Sequence, residues 1–227
     1  NLAKTLEGLD QATGFIKEKV GSGSLLLLVG TQPSAQAGIL RLALKFGLPY
    51  VVRRWLGGTL TNFKVITKRV EYFKKMKSDL ASGAFQKYTK KEQLEFEREI
   101  RRLEELMGGL QTLPREPNLM LVVDPQVHLT AVREAKRLKI PGVAFADVDA
   151  NPDLVDYLVP GNTKSRKSVE WFLSRVEAAI EEGKRCRRSN RRPNRRQMKN
   201  KQSEIQKLRE VTGAGVMECK RALEEAS

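Results

Sequence analysis

The stretch Ser24-Leu25-Leu26-Leu27-Leu28-Val29 is apolar without a break from Leu25 onward and has the length of a single β-strand. A strand without polar alternation is typical of a parallel sheet that is covered on both faces. Residues 2–19 before it carry apolar side chains at helical spacing and predict a helix that is ended by glycines. A second helix is predicted after it, from Ser34 to Phe46. A buried strand between two helices predicts an α/β layered fold.

Further strands and helices alternate along the rest of the chain. In chain order they are the strand Tyr50–Val52, the strand Leu119–Val123, the helix Val127–Leu138, the strand Gly142–Ala146 and the helix Ser165–Ile180. The last helix has an apolar stripe, which consists of Val169, Phe172, Leu173, Val176 and Ile180. This alternation predicts a doubly wound parallel sheet with helices on both faces.

Residues 62–107 interrupt the alternation with two densely charged segments. Both have a thin apolar stripe at three- and four-residue spacing, formed by Phe63, Ile66, Val70, Phe73 and Leu80 and then by Phe96, Ile100, Leu103 and Met107. A polar turn near Ser82–Gly83 separates the two stripes. They predict an antiparallel, coiled-coil-like helical hairpin that protrudes from the sheet, and the alternative is an ordinary pair of surface helices.

The charge of the chain points to a polyanionic partner. Its 227 residues carry a formal net charge of +15 and a pI near 10.0. Nucleic acid is the first candidate for the partner, and an anionic membrane surface is the second. No apolar run reaches the roughly 20 residues of a membrane-spanning helix. The two cysteines have no CxxC or zinc spacing, which fits a reducing compartment.

Much of the positive charge lies in residues 184–201, which include ten cations and no carboxylate. A block of like charges repels itself and typically becomes ordered against nucleic acid. The same composition is found in solvated linkers between domains, and the two interpretations are compatible. We therefore predict a basic linker at residues 183–202.

The segment Arg53-Arg54-Trp55-Leu56-Gly57-Gly58-Thr59-Leu60-Thr61-Asn62-Phe63 joins a predicted strand to a predicted helix. Ligands of parallel α/β sheets bind at such strand ends. The arginines supply charge, the tryptophan supplies a stacking surface, and the glycines allow close backbone approach. A cap from Thr59, Thr61 or Asn62 leaves amide donors that suit a phosphate. The alternative is a Gly-Gly turn beside a core tryptophan.

Several further polar features are more simply read as structural. Gly30-Thr31-Gln32-Pro33-Ser34 follows a strand as a phosphate loop does, but it lacks both GxGxxG and GK[ST]. His128, the only histidine, is predicted to be structural because no nucleophile can be paired with it. The aspartates of residues 147–156 are a candidate cation site, but Asn151-Pro152-Asp153 is more simply a turn and helix cap. We predict no enzymatic activity, no cofactor and no metal.

The segment from Arg54 to Asn62 resembles the signature of the small-subunit ribosomal protein two family of bacteria and organelles. Other landmarks of this family follow in the expected order, namely Leu26–Thr31, Gly108-Gly109, Val122-Val123-Asp124, His128, Ile140-Pro141 and Asn151–Asn162. The resemblance covers about residues 1–182. It implies a flavodoxin-like sheet with a protruding helical hairpin and no catalytic groups.

Membership of this family further implies a structural role at the junction between the head and the body of the small ribosomal subunit. The partners that it implies are small-subunit rRNA and neighbouring ribosomal proteins, including ribosomal protein one. The implied location is the ribosome, either in the bacterial cytoplasm or in an organelle. Thr163 and Lys164 stand where members often carry two acidic residues, which makes this edge more basic.

Residues 205–223 carry a second resemblance, to the ubiquitin-associated-like N-terminal module of elongation factor Ts. The segment is expected to form a helix, a Thr-Gly-Ala-Gly turn and a second helix, and the module at 203–227 is expected to be incomplete because a third helix is missing. The resemblance implies that elongation factor Tu is contacted by the turn residues Thr212, Gly213, Ala214, Gly215 and Met217. The alternative is a module that only packs on the ribosome.

We predict RNA contacts from three groups of residues on these grounds. The first group is Arg53, Arg54, Trp55, Gly57, Gly58, Lys64, Lys68 and Arg69. The second, at the opposite edge of the domain, is Lys164, Arg166 and Lys167, and the third is Arg187, Arg188, Arg191, Arg192, Arg195 and Arg196. Their cations are expected to neutralise phosphates and so to supply the affinity. Shape complementarity, and not recognition of bases, is expected to determine the position of the protein on the RNA.

Overall fold

The computed structural model describes residues 2–188. The arginines at 191–196 and the segment 203–227 that resembles an elongation-factor module lie outside the described residues. The chain divides into two compact units, of which the first ends at Gly183 and the second begins at Lys184. The sheet and the helices that position the candidate sites belong to the first unit.

Strands and helices alternate along the described chain. In order they are α1 (Leu2–Ser22), β1 (Leu26–Val29), α2 (Pro33–Phe46), β2 (Tyr50–Val51), α3 (Phe63–Ala81), α4 (Lys90–Met107), β3 (Leu119–Val123), α5 (Leu129–Arg137), β4 (Gly142–Ala146), β5 (Tyr157–Pro160) and α6 (residues 166–188). Short 3-10 helices occupy Ala84–Lys87, Gly108–Thr112 and Pro152–Leu154. No helix within residues 2–188 is long and apolar enough to span a bilayer.

The five strands form one sheet in the order β2-β1-β3-β4-β5, and every neighbouring pair is parallel. This is the strand order of the flavodoxin-like doubly wound fold, so the predicted fold class is confirmed. Because the strands are parallel, the loops that follow them all leave from the same end of the sheet.

The central strand β1 is fully buried because the sheet is covered on both faces. Leu26 and Leu28 pack into one apolar cluster, whereas Leu27 and Val29 point to the other face and pack into a second cluster. Alternate side chains of a strand point to opposite faces, so a strand buried on both sides has no polar position. The unbroken apolar run in the sequence follows from this double burial.

Helices α1, α2 and α6 cover the first face of the sheet, and α5 together with the base of α3 covers the second. The apolar stripe predicted on the last helix is fully buried in the first cluster, which confirms it. The helix is longer than predicted, because it continues past Ile180 to residue 188. Residues 183–188 of the expected linker are therefore helical.

Strand β5 at the edge of the sheet was missed by the sequence analysis. Its residues Tyr157–Pro160 pair with β4 in the register Phe145↔Val159, and α1 packs against it. The strand has four residues and ends in a proline, which is tolerated because an edge strand can leave amide positions unpaired. Its local sequence is too short to carry a periodic signal.

Helices α3 and α4 pack against each other as a pair. An ion pair joins them, with Lys77 Nζ at 2.7 Å from Glu104 Oε1. The core of the pair contains Phe73, Met76 and Ile100. The prediction that Leu80 belongs to the buried stripe was wrong, because this side chain is 41% exposed and Met76 occupies the buried position.

Candidate nucleic-acid interface

The loop between β2 and α3 presents two arginines to solvent at one edge of the sheet. Arg53 and Arg54 are both exposed, and no carboxylate of residues 2–188 lies within 4 Å of either guanidinium group. Trp55, in contrast, is half-buried and packs against the second apolar cluster. The charge of this loop is therefore available for a ligand, whereas its aromatic ring is part of the core packing.

A single carboxylate on α5 organises the rest of the loop. Glu134 Oε1 accepts hydrogen bonds from the indole Nε1 of Trp55 at 3.1 Å and from the amide of Gly58 at 2.8 Å. Its Oε2 accepts hydrogen bonds from the amide of Leu60 at 2.9 Å and from the amide of Thr61 at 3.3 Å. The Thr61 hydroxyl lies 3.4 Å from the same oxygen. Glu134 is buried, and both its oxygens are satisfied by the loop.

These contacts overturn the expectation that the loop amides are free to bind a phosphate. The donors at Gly58, Leu60 and Thr61 already hold the Glu134 carboxylate, and Asn62 makes no side-chain cap at the start of α3. The loop does have the geometry of an anion site, because clustered amides attract negative charge. Here the anion comes from the protein itself.

The pKa of Glu134 reflects two opposing effects. Burial raises the pKa of the carboxyl group, but the hydrogen bonds from the loop amides and from the Trp55 indole outweigh it and hold the pKa below its ordinary value. The group is therefore ionised at neutral pH, and the loop is anchored by charged hydrogen bonds, which are stronger than neutral ones.

Only one of the two glycines in the loop has the backbone conformation that favours glycine. Gly58 has φ of +84°, and its amide points at Glu134. Gly57 has no positive φ, and a Cβ atom at that position meets nothing within 4 Å. The sequence-based alternative of a Gly-Gly turn beside a core tryptophan describes this local structure.

The cations that follow the loop lie on the exposed side of α3. Lys64, Lys68 and Arg69 are all exposed, while Ile66 and Val70 between them are buried against the second cluster. Lys64 and Lys68 are four residues apart and share one face of the helix, and Arg69 lies farther around it. The structure therefore brings part of the first predicted group together on one surface.

The second predicted group follows β5, at the other edge of the sheet. Lys164, Arg166 and Lys167 are exposed, and Arg166 Nε lies 2.9 Å from Glu170 Oε1. Strands β2 and β5 are four inter-strand steps apart, which is about 19 Å at about 4.8 Å per step. The first and second groups thus form separate surfaces at the same end of the sheet.

The third predicted group is only partly described. Arg187 and Arg188 are exposed on α6, at the end of the described part of the chain. Arg191, Arg192, Arg195 and Arg196 lie outside the described residues, and so do Thr212, Gly213, Ala214, Gly215 and Met217.

The strand ends in the centre of the sheet, where flavodoxin-like folds bind ligands, are filled by side chains. Asp124 after β3 is buried, and its Oδ2 accepts hydrogen bonds from Gln32 Nε2 and, at 3.3 Å, from Thr163 Oγ1. Ser34 Oγ donates to the carbonyl of Thr163 at 2.8 Å. The segment Gly30–Ser34 after β1 is therefore tied into this internal network and does not form a phosphate loop.

His128 belongs to the same region and has the structural role that was predicted for it. The side chain is buried, and its Nε2 accepts a hydrogen bond from the amide of Thr31 at 3.2 Å. Burial lowers the pKa of His128, and the nearby charge of Asp124 opposes this effect only in part. The neutral ring thus joins the loop after β1 to the start of α5.

Part of the 147–156 loop is held by hydrogen bonds within the protein. Asn151 Oδ1 accepts a hydrogen bond from the amide of Asp153 at 2.9 Å, and Asp156 Oδ2 accepts one from the amide of Gly142 at 2.7 Å. Among residues 2–188, no cluster of histidine, cysteine, aspartate and glutamate could hold a metal ion. The bond from Asp153 to Asn151 caps the 3-10 helix Pro152–Leu154, as the turn-and-cap interpretation predicts.

Glu134 was the important residue that the sequence analysis missed. Its neighbours Ala131 and Ala135 are buried on the apolar side of α5, and Glu134 lies on that side with them. A carboxylate on the buried side of a helix needs a partner. The position of Glu134 on α5 therefore indicates a buried carboxylate with hydrogen-bond partners. The sequence does not show which donors these partners are.

Comparison with known proteins agrees with the fold. The family model for ribosomal protein S2 matches residues 1–183. The chain is 40% identical over 189 residues to small ribosomal subunit protein uS2 of Roseiflexus sp. (strain RS-1). The alignment covers 83% of this chain and 72% of that protein. It is 42% identical over 176 residues to the protein of the same name from Thermus thermophilus, with 78% and 69% covered.

A third relative is the small ribosomal subunit protein uS2 of Corynebacterium urealyticum, which is 42% identical over 188 residues. This alignment covers 82% of this chain and 70% of the relative. The match to the family model spans the whole first unit, including the sheet, the helical pair and the loop anchored by Glu134. The chain therefore belongs to the ribosomal protein S2 family.

Proposed function

We propose that the chain is a structural constituent of the small ribosomal subunit that binds rRNA at the junction of head and body and supports translation. The observation that carries this proposal is the family match over residues 1–183. The family is a structural component of the ribosome, and the chain is accordingly not an enzyme. Its filled strand ends are consistent with a scaffold whose surface is the functional part.

The binding mechanism that we propose is electrostatic. Exposed cations of the loop before α3, of α3 itself and of the segment after β5 neutralise rRNA phosphates, and the arginines of residues 187–196 add to them. The exposed cations are Arg53, Arg54, Lys64, Lys68, Arg69, Lys164, Arg166 and Lys167. Each neutralised phosphate releases counterions, so the affinity falls steeply as salt rises. The two edges are about 19 Å apart and contact different parts of the RNA.

The hydrogen bonds of the loop support a positioning role for Trp55 and Gly58. Trp55 and Gly58 are bonded to Glu134, so their contribution to RNA binding is to hold Arg53 and Arg54 in place. Preorganisation of this kind lowers the entropy that is lost on binding. Direct contacts of Trp55, Gly57 and Gly58 with RNA remain a prediction.

The partners that we propose besides rRNA are neighbouring proteins of the small subunit, including ribosomal protein one. The location is the ribosome, in the bacterial cytoplasm or in an organelle. We further propose three parts of the chain, which are a ribosomal domain at 1–182, a basic linker at 183–202 and an elongation-factor-Ts-like module at 203–227.

The C-terminal module is proposed to bind elongation factor Tu or to dock on the ribosome surface. A pull-down with purified elongation factor Tu separates the two possibilities. Alanine substitutions at Thr212, Gly213, Gly215 and Met217 are expected to abolish capture if the module binds elongation factor Tu. Capture that does not depend on these residues leaves docking on the ribosome as the role of the module.

Sucrose-gradient fractionation of a lysate at low and high salt tests the main proposal. The expected result is co-migration with the small subunit at low salt and release from it as the salt concentration rises. A free pool without a small-subunit peak would contradict the proposal and favour a regulatory RNA-binding protein that acts outside the ribosome.

A further inference from the structure

One face of α3 carries a row of exposed side chains that extends well beyond the loop between β2 and α3. Lys64, Lys68, Tyr72 and Lys75 follow one another at spacings of four, four and three residues. This spacing places them on one face of a helix, and all four are exposed. We call these four residues the α3 ridge.

The lysines of the ridge have no ionic partner within the described part of the chain. The carboxylates of α3 are Glu71 and Asp79, and neither lies within 4 Å of a ridge lysine. Lys77 on another face of the same helix differs, because its Nζ lies 2.7 Å from Glu104. Within residues 2–188 the ridge lysines are therefore not held in ion pairs, although Glu71 lies three residues after Lys68 and four before Lys75 on the same helix.

Tyr72 is the aromatic member of the ridge, and it is left out of the core packing. Its side chain is 51% exposed, and within residues 2–188 it makes no hydrogen bond and no ring contact. Phe85 and Phe96 of the same hairpin stack on each other with ring centroids 4.7 Å apart. Phe85, Tyr88 and Phe96 thus contact one another, whereas Tyr72 lies outside this aromatic group and between lysines of the ridge.

The opposite face of α3 makes the ridge rigid. Ile66, Val70, Phe73 and Met76 are all buried. At its start, α3 follows the loop that is anchored to Glu134. At about 1.5 Å per residue, Lys64 and Lys75 are about 16 Å apart along the helix axis, which is long enough to face several phosphates of one strand.

We propose that the α3 ridge is an RNA-binding surface on which Lys64, Lys68 and Lys75 contact phosphates of one strand and Tyr72 stacks on an unpaired base. This inference rests on the proposed function and specifies the RNA that this surface takes. Bases inside an A-form helix are stacked and closed to a side chain, whereas unpaired bases stack on aromatic rings. Tyrosine between cations therefore fits a strand with a loop, bulge or unpaired end.

Binding of the full-length chain to in vitro transcribed small-subunit rRNA, measured over a series of salt concentrations, tests this proposal. The charge variant is K68Q/K75Q, and the stacking variants are Y72L and Y72F. The matched control is K74Q/K77Q, which removes two lysines of the same helix outside the ridge. All these positions are exposed, and thermal unfolding of each variant verifies that the fold is kept.

Charge and stacking give different signatures in this experiment. K68Q/K75Q is expected to reduce the slope of log affinity against log salt by about two, one for each lost phosphate contact. Y72L is expected to lower the affinity about five- to tenfold without changing that slope, and Y72F is expected to bind like the wild type. The control is expected to change the slope by less than about one.

The outcomes separate this inference from the proposed function. If the wild-type chain shows no salt-dependent binding to this rRNA, the proposed function itself fails. If the wild type binds but K68Q/K75Q behaves like the control, the ridge is not a phosphate-binding surface, although the proposed function stands. If Y72L binds as tightly as Y72F, stacking on Tyr72 is excluded.

Discussion

The carboxylate of Glu134 and the backbone amide of Gly58 are 2.8 Å apart, although the two residues are 76 positions apart in the chain. This hydrogen bond joins α5 to the loop that carries Arg53 and Arg54. With the bonds to Trp55, Leu60 and Thr61 it turns an apparent anion-binding loop into a fixed support for the arginines. The loop binds its own anion internally and presents its cations outward.

Replacement of Glu134 is expected to destabilise the protein substantially. Glu134→Ala leaves the donors of Gly58, Leu60 and Trp55 without their acceptor, so the free energy of unfolding should fall by about 2–3 kcal/mol. Glu134→Gln keeps one acceptor oxygen and should cost about 1–2 kcal/mol. Urea unfolding at neutral pH measures both values. An unchanged stability of Glu134→Ala would show that water replaces the carboxylate without cost.

The depressed pKa of Glu134 makes part of the stability depend on pH. Because the folded-state pKa lies below the unfolded value of about 4.3, the contribution is present above that value and is lost as the pH falls through the folded-state pKa. Between about pH 7 and about pH 3 the wild type should therefore lose more unfolding free energy than Glu134→Gln. Equal losses in the two proteins would contradict the pKa assignment.

His128 is expected to contribute a second pH dependence, at higher pH. Its pKa is lowered in the folded state, so the unfolded chain takes up a proton first and stability falls as the pH drops below about 6.5. The loss is at most about 1.4 kcal/mol per pH unit. Unfolding at about pH 7.5 and about pH 5.5 should show a smaller loss for His128→Gln than for the wild type. The same loss in both proteins would assign the effect to other groups.

Two glycines of α1 are expected to respond in opposite directions to alanine. A Cβ atom at Gly8 lies 2.6 Å from the carbonyl oxygen of Leu158 in β5, so Gly8→Ala should lower the unfolding free energy by about 1–3 kcal/mol. A Cβ atom at Gly14 meets nothing within 4 Å, and Gly14→Ala should raise it by about 0.5–1 kcal/mol. Thermal unfolding of both variants measures the difference. An unchanged unfolding free energy of Gly8→Ala would mean that β5 can move away from α1.

The exposed arginines of the loop are expected to affect RNA binding without affecting stability. Arg53→Ala with Arg54→Ala should reduce the salt slope of rRNA binding by about two, which is the effect expected for the loss of two phosphate contacts. The free energy of unfolding should stay within about 0.5 kcal/mol of the wild type. Lys45→Ala is the control, since Lys45 is already paired with Glu181 at 2.6 Å. An equal salt slope in both variants would show that Arg53 and Arg54 do not contact the RNA.

The sequence predicted the strands that are buried on both faces, because an unbroken apolar run as short as Leu26–Val29 is typical of a strand in the middle of a parallel sheet. It also predicted the stripe of α6 and the apolar positions Ile66, Val70 and Phe73 of the helical pair. It failed at Leu80 and at β5, where the local pattern is weak. Pairing with β4 makes β5 a strand, and this pairing is a tertiary contact.

The sequence by itself determined the doubly wound layer order, the family and the surplus of positive charge, since all three depend on local composition and spacing. Only the tertiary structure decided that the amides of Gly58, Leu60 and Thr61 bind Glu134 and not an external phosphate. The physical reason is that a hydrogen bond between distant segments leaves no periodic trace in the chain. Burial of a carboxylate is readable from its position on a helix, but the identity of its partners depends on how the layers pack.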